Sequence, residues 1–102
     1  MKYQFVIQWS AKSIEDFDDM LVAEDALISQ LTDEHEVDGH DAGSGETNIF
    51  VRTNDFRKAF NEVKVILDVQ GLWEGVRVGY RDVAKSRYTV LWPLDLNELY
   101  VA

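Results

Sequence analysis

Apolar and polar side chains alternate along the first strand-length stretch of the chain, Tyr3 to Trp9 (YQFVIQW), with an aromatic or aliphatic residue at every odd position. A period of two is typical of a strand that buries one face. Beyond it, Ser13 is expected to cap a helix, with Asp16 three residues later completing a capping box. Apolar residues then recur at helical spacing as far as Leu31. The pattern predicts a strand followed by a first helix of about 18 residues.

A hairpin is predicted around Gly43 and Gly45, with strand-like segments on either side. The downstream segment is TNIFVRT, over residues 47–53. Glycine tolerates the positive φ that a tight turn between two strands requires. We therefore expect at least one of these two glycines to have a positive φ.

The residues after the hairpin predict a second helix and two more strands. Asn54 or Asp55 is expected to cap the helix, and Gly71 to end it. Alternating apolar residues at positions 76–80 and 88–92 then predict the two strands. The apolar face of the helix is expected to contain Phe56, Phe60, Val63 and Leu67.

The predicted order of elements is β-α-β-β-α-β with one extra β-strand, in a single domain of residues 1–102. This order predicts an α+β fold, a ferredoxin-like sandwich in which an antiparallel sheet carries two helices on one face and an extra C-terminal strand. The other face of the sheet then has no helix, and we call it the open face.

The open face is predicted from the period of two along each strand. We expect it to be used for self-association into a homodimer or to be covered by a terminal segment. Its three arginines could instead hold an anionic small molecule or a carboxylate-rich partner. The residues expected there are Gln4, Val6, Gln8, Asn48, Phe50, Arg52, Arg77 and Arg81.

Charge is distributed unevenly along the chain. The formal net charge is -9, and residues 1–50 contain 12 Asp and Glu residues against only Lys2 and Lys12. An acidic surface repels phosphate backbones, so nucleic-acid binding is disfavoured. The same surface would attract a basic protein and accelerate its association.

The chain contains no cysteine, which excludes disulfides, thiolate zinc sites and cysteine nucleophiles. This composition fits a reducing compartment, and we expect a cytoplasmic protein. The first residues do not resemble a signal peptide. No apolar run approaches the roughly 20 residues that a membrane-spanning helix needs.

Four side chains that could bind a metal ion or take part in catalysis lie around the predicted hairpin: Asp38, His40, Asp41 and Glu46. The spacing does not match a calcium-binding loop, and a transition-metal site would need a second histidine, for which only His35 is available. We therefore predict no metal site and no cofactor. The simplest interpretation is that the two aspartates bond turn amides and that the histidine is a half-exposed strand residue.

Catalysis at the hairpin would need an Asp–His pair acting on a nucleophile. Ser44 and Thr47 are the nearest hydroxyl groups, but neither lies in a recognisable triad or nucleophile-elbow pattern. We therefore predict no catalytic residue.

Three segments carry a resemblance to known proteins: KYQFVIQW, VDGHDAGSGETNIFVRT and VGYRDVAKSRYTVLWP. Together they resemble a family of short, uncharacterised bacterial α+β proteins, and the middle segment is the most specific part. The resemblance implies a compact α+β protein of bacterial origin and implies no catalytic or binding residue. In size and acidity alone, the chain is also similar to bacterial immunity proteins, which neutralise a toxin.

Two functions remain open. The first is a non-enzymatic interaction protein that binds a basic partner, in its sharpest form a toxin; the acids expected to carry it are Asp16, Asp18, Asp19, Asp25, Asp38, Asp41 and Glu46. The second is a small-ligand or metal-binding domain, which could be enzymatic, centred on the hairpin. The residues expected to bind its ligand are Asp38, His40, Asp41, Glu46, Arg52, Arg77 and Arg81.

Overall fold

A computed structural model describes residues 1–10, 17–43 and 45–101. The expected capping residue Ser13, the acid Asp16 and the candidate nucleophile Ser44 lie outside the described residues. The elements are β1 (Tyr3–Ser10), α1 (Phe17–Gln30), β2 (His35–Gly43), β3 (Glu46–Thr53), α2 (Phe56–Val69), β4 (Val76–Asp82) and β5 (Thr89–Trp92).

The strands form one five-stranded sheet in the order β2-β3-β1-β4-β5, and every neighbouring pair is antiparallel. The predicted α+β class is therefore confirmed, with five antiparallel strands and two helices. The fifth strand makes this order different from that of a simple β-α-β-β-α-β unit. Strand β1 lies at the centre, with β3 on one side and β4 on the other.

The core lies between one face of the sheet and the two helices. Phe5, Ile7 and Trp9 of β1 are fully buried and contribute the middle row of this core. The Trp9 ring also donates a hydrogen bond from Nε1 to the Leu72 carbonyl oxygen (2.9 Å), so its one polar atom is satisfied. The alternation in β1 therefore identified the buried face correctly. The helices complete the core with Met20, Ala23, Ala26, Leu27, Ala59, Val63, Ile66 and Leu67.

Both ends of α2 are defined by local hydrogen bonds. At the start, Asp55 is the N-cap, and its Oδ1 accepts from the Lys58 backbone N–H at 3.0 Å. At the end, Gly71 has φ +72° and its N–H donates to the Asp68 carbonyl. The N–H of Leu72 donates to the Leu67 carbonyl. This pair of bonds is a Schellman motif, which glycine favours because of the positive φ. Both predicted ends are confirmed, with Asp55 rather than Asn54 as the cap.

The β2–β3 hairpin contains two positive-φ glycines in its described part. Gly45 has φ +78°, which confirms that one of the two turn glycines adopts this conformation, and Gly43 does not. The sequence pattern did not predict the second, Gly39 (φ +107°), which lies where the register shifts between Val37 and His40. The shift is a β-bulge, and it decides which side chains of β2 face each side of the sheet.

Within the described residues, no helix is both long enough and apolar enough to cross a membrane.

Candidate functional site

The four hairpin residues do not converge on one point. His40 turns toward α1, where its Nδ1 lies 2.8 Å from Glu24 Oε2. Asp38 is engaged elsewhere, because its Oδ2 accepts from Arg52 Nε at 3.0 Å and Arg52 belongs to the open face. The bulge at Gly39 separates the two side chains and sends them to opposite faces of the sheet.

Glu46 and Asp41 do not form a cluster with His40 either. Glu46 Oε2 accepts from Gln8 Nε2 at 2.9 Å, and its Oε1 lies 3.7 Å from Arg77 Nη2. Asp41 is exposed and lies opposite Asn48 in the register. In the part of the chain that the structure describes, no group of three or more His, Asp and Glu residues could hold a metal ion.

The most completely bonded polar group in the core is His35, at the start of β2. Its side chain is fully buried. Nδ1 lies 2.8 Å from Thr53 Oγ1, and Nε2 lies 3.1 Å from Glu62 Oε2. Thr53 Oγ1 already accepts from the Asp55 N–H at 2.9 Å, so its own proton is available for Nδ1. His35 is therefore placed to donate from Nε2 to Glu62 while accepting at Nδ1.

Glu62 is held as a carboxylate in this network. Burial alone would raise its pKa, but hydrogen bonds from the Thr32 backbone N–H and from His35 outweigh that effect. The result is a pKa below the ordinary value of 4.5. Thr32 contributes twice, since its N–H donates to Oε1 at 3.0 Å and its hydroxyl to Oε2 at 3.2 Å.

The hydroxyl–imidazole–carboxylate order of Thr53, His35 and Glu62 resembles that of a nucleophilic triad. The threonine is fully buried, however, and its hydroxyl is committed to two protein partners. A substrate carbonyl has no route to that oxygen. The network ties edge strand β2 to α2, and sequence reasoning missed it because the face of His35 could not be assigned.

The C-terminal segment, residues 93–101, covers part of the open face. Leu99 is only 6% exposed, and a Cβ atom added to Gly79 would lie 2.6 Å from its Cδ2, so the two residues are in close contact. Gln8 Nε2 donates to the Tyr100 carbonyl at 2.7 Å. One of the two uses expected for this face, cover by a terminal segment, is therefore present, and self-association stays a prediction. Beneath the segment, Gln8 Oε1 and Asn48 Oδ1 are buried without a hydrogen-bond partner among the described residues.

The three open-face arginines have different partners. Arg52 pairs with Asp38, and Arg77 lies beside Glu46. Arg81 contacts no carboxylate in the described residues: its guanidinium donates to the carbonyls of Val83 (3.2 Å) and Lys85 (2.8 Å), more weakly to that of Asp82 (3.4 Å), and to Gln4 Oε1. Only Arg81 therefore keeps an uncompensated positive charge.

An acidic surface extends over α1 and the outer side of β2. The sequence from residue 13 to residue 51 contains no lysine or arginine. On α1, Asp18 and Asp25 are exposed and Asp19 is half-buried; on β2, Glu36 and Asp41 are exposed. The hydrogen bond between Glu24 and His40 joins α1 to β2, whereas Glu36 and Asp41 pair in register with Arg52 and Asn48 and so point to the open face. These acids therefore lie on two elements that meet at the β2 edge and do not share one face of the sheet. We call this edge region, defined by Asp18, Asp25, Glu36 and Asp41, the acidic surface.

No protein-family model matches the chain, and no curated protein matches it.

Proposed function

We propose that this protein is a non-enzymatic binding protein whose acidic surface docks a basic protein partner. One observation carries the proposal. Four exposed carboxylates lie on two elements that meet at the β2 edge, and none has an ion-pair partner among the described residues. Carboxylates left without cations retain their full attraction for an incoming basic surface.

The position of β2 supports this assignment. Among the described residues it is an edge strand that pairs with β3, and charged side chains on an edge strand oppose unspecific pairing with other strands. The same charges would steer a basic partner toward this edge and set the rate of encounter.

The other predicted acids contribute less to such a surface. Asp38 and Glu46 are engaged with Arg52 and Arg77, and Asp16 lies outside the described residues. Asp19 is half-buried and has an interaction partner of its own. The proposal therefore rests on Asp18, Asp25, Glu36 and Asp41.

In its sharpest form, the proposal is that the partner is a basic toxin domain. A toxin that acts on nucleic acid uses basic side chains to bind phosphates. The carboxylates of the acidic surface could form ion pairs with the same basic side chains. The buried state of Thr53 and His35 supports a non-enzymatic role, because the most triad-like group of side chains in the described residues has no access to substrate.

The direct experiment is charge reversal on the acidic surface. The variant D18K/D25K/D41K changes the net charge by +6 at three exposed positions. A matched control, D68K/E74K/D95K, changes it equally at exposed positions in the second half of the chain. We expect the parent and the control to recover the same partner from the native host at low salt, and the acidic-surface variant to lose it.

Association kinetics with the recovered partner then separate a local effect from a global one. Only the acidic-surface variant should associate more slowly and with a flatter dependence on salt. Equal losses of partner binding in both variants would show that the effect comes from net charge alone. No loss of binding in either variant would refute the proposal.

We also propose that the fold is a ferredoxin-like sandwich extended by β5. The order β2-β3-β1-β4, the antiparallel pairing and the packing of both helices on one core support this assignment. Backbone nuclear Overhauser contacts from β1 to both β3 and β4 would test it, and a direct contact between β1 and β2 would contradict it.

A further inference from the structure

A surface cavity of about 560 Å³ opens on the open face, between the sheet and the loop that joins β4 to β5. Strands β1, β3 and β4 contribute one residue each to its wall: Gln4, Phe50 and Arg81. The loop side contains Lys85 and Tyr88, and the C-terminal segment contributes Val101. This volume lies within the range of small-molecule sites, roughly 300–1,000 Å³.

Arg81 gives the cavity a fixed positive charge. Its guanidinium donates to backbone carbonyls of the loop and to the Gln4 side chain, so its position is set by several bonds at once. All of these acceptors are neutral. A cation held by neutral dipoles stays available to an anion, whereas Arg52 and Arg77 are already beside carboxylates.

The rest of the wall has the same electrostatic character. Lys85 adds a second, exposed cation, and none of the described lining residues is Asp or Glu. The exposed acids of β2 are separated from β4 by strands β3 and β1, roughly 14 Å at the usual strand spacing, and screening at physiological salt acts over about 8 Å. The two charged side chains that line the cavity are therefore both cations, although the net charge of the chain is -9.

Two aromatic rings complete the cavity. Tyr88 lies with the Arg81 guanidinium 5.7 Å from its ring centroid, which fixes the ring at the wall. Phe50 is half-buried on the sheet beneath. Flat apolar rings next to two cations suit a ligand that carries a negatively charged group on a planar ring.

We propose that this cavity binds a small organic anion, whose charged group contacts Arg81 and Lys85 and whose planar part lies on Phe50 and Tyr88. The site has the opposite charge to the acidic surface and shares no residue with it, so it stands independently of the proposed protein partner.

Benzoate is a suitable probe because it combines a carboxylate with a flat ring. Acetate carries the charge without the ring, and benzyl alcohol carries the ring without the charge. In an NMR titration of the ¹⁵N-labelled protein, we expect benzoate to give saturable shifts confined to the amides of Arg81, Lys85, Ser86 and Tyr88. Acetate and benzyl alcohol should each bind at least about fivefold more weakly.

The decisive variant is Lys85→Gln, because Lys85 is exposed and its loss should not affect folding. It should weaken benzoate binding about three- to fivefold, as expected for one solvent-exposed charge contact. Arg57→Gln removes the same charge from an exposed position on α2 and should leave the affinity unchanged. Equal affinity in Lys85→Gln and the parent, shifts spread over the whole surface, or equal binding of benzyl alcohol would overturn the proposal.

Discussion

The two faces of the sheet are completed in different ways. On the helix-covered face, apolar side chains from three strands pack against both helices, and the buried His35 has a partner for each ring nitrogen. On the open face, a single irregular segment provides the cover through Leu99 and the Tyr100 carbonyl. The described residues leave Gln8 Oε1 and Asn48 Oδ1 beneath it without partners.

This difference separates stability from recognition. Among the described residues, the helix-covered face leaves no buried side-chain polar atom unpaired, so a change there should act on the free energy of unfolding. A face with incomplete cover, an uncompensated arginine and a lined cavity can bind without rearranging the core.

The largest loss of stability is expected from His35→Ala. The change removes a buried ring and leaves Thr53 Oγ1 and Glu62 without their partner. We expect a loss of about 3 kcal/mol in the free energy of unfolding, measured by urea titration. His40→Ala is the matched control, since its side chain is 33% exposed and should cost less than about 1 kcal/mol. Equal costs for the two variants would show that the His35 network does not stabilise the core.

Leu99→Ala tests the cover of the open face. Leu99 is 6% exposed and packs on Gly79, whereas Leu94 in the same segment is 87% exposed. We expect Leu99→Ala to cost about 2 kcal/mol, at the lower end for a buried leucine because a terminal segment can relax into the space. Leu94→Ala should be neutral. If both are neutral in urea titrations, the segment does not contribute to folding stability.

The hairpin sends His40 to one face and Asp38 to the other, so its turn affects both. Gly45 has φ +78°, and a β-branched residue is strained there. Gly45→Val should lower the free energy of unfolding by about 1–2 kcal/mol. Gly43→Val is the control, because Gly43 does not have a positive φ and a Cβ there meets no atom within 4 Å. Thermal melts that do not distinguish the two variants would contradict the turn geometry.

Patterns within short segments of the sequence predicted much of the fold, whereas contacts between residues distant in sequence could not be predicted. The N-cap at Asp55 and the alternation of β1 depend on neighbours in sequence, so the pattern identified them. In the sequence, Gly39 looks like any loop glycine. The bulge at this residue nevertheless decides the orientation of Asp38 and His40. Sequence spacing therefore predicted a hairpin cluster that the fold divides between two faces.

The partners of the remaining site residues also depend on tertiary structure. His35 meets Thr53 and Glu62 only after β2, β3 and α2 have assembled. The three open-face arginines look equivalent in the sequence, and cross-strand register alone distinguishes Arg81 from the other two. The segment containing Leu99 has no strand or helix period, so its pattern did not indicate whether it or a second copy of the chain would cover the open face.

A smaller effect is expected from pH on the helix-covered face. The pKa of Glu62 is lowered in the folded state, so its contribution to stability is complete above the unfolded value near 4.5 and is lost as the pH falls through the folded pKa. The parent should therefore lose stability on acidification below about pH 4.5, and Glu62→Gln should lose less over the same range. Urea midpoints measured from pH 6 to pH 3 test this. Glu74→Gln, at an exposed loop position, should follow the parent; identical curves for all three proteins would contradict the role of Glu62.

The smallest effect is expected from divalent metal ions at the hairpin. A tight site needs three or more ligands that converge, but His40 faces Glu24 on the helix side while Asp38 and Glu46 contact Arg52 and Gln8 on the open face. Adding Zn²⁺, Mn²⁺ or Ca²⁺ would have to break these contacts before coordination could begin. We therefore expect calorimetry to detect at most millimolar binding, and EDTA to leave the melting temperature unchanged. A micromolar site that His40→Ala abolishes would show that the hairpin rearranges around a metal ion, and that residues from both faces can converge after all.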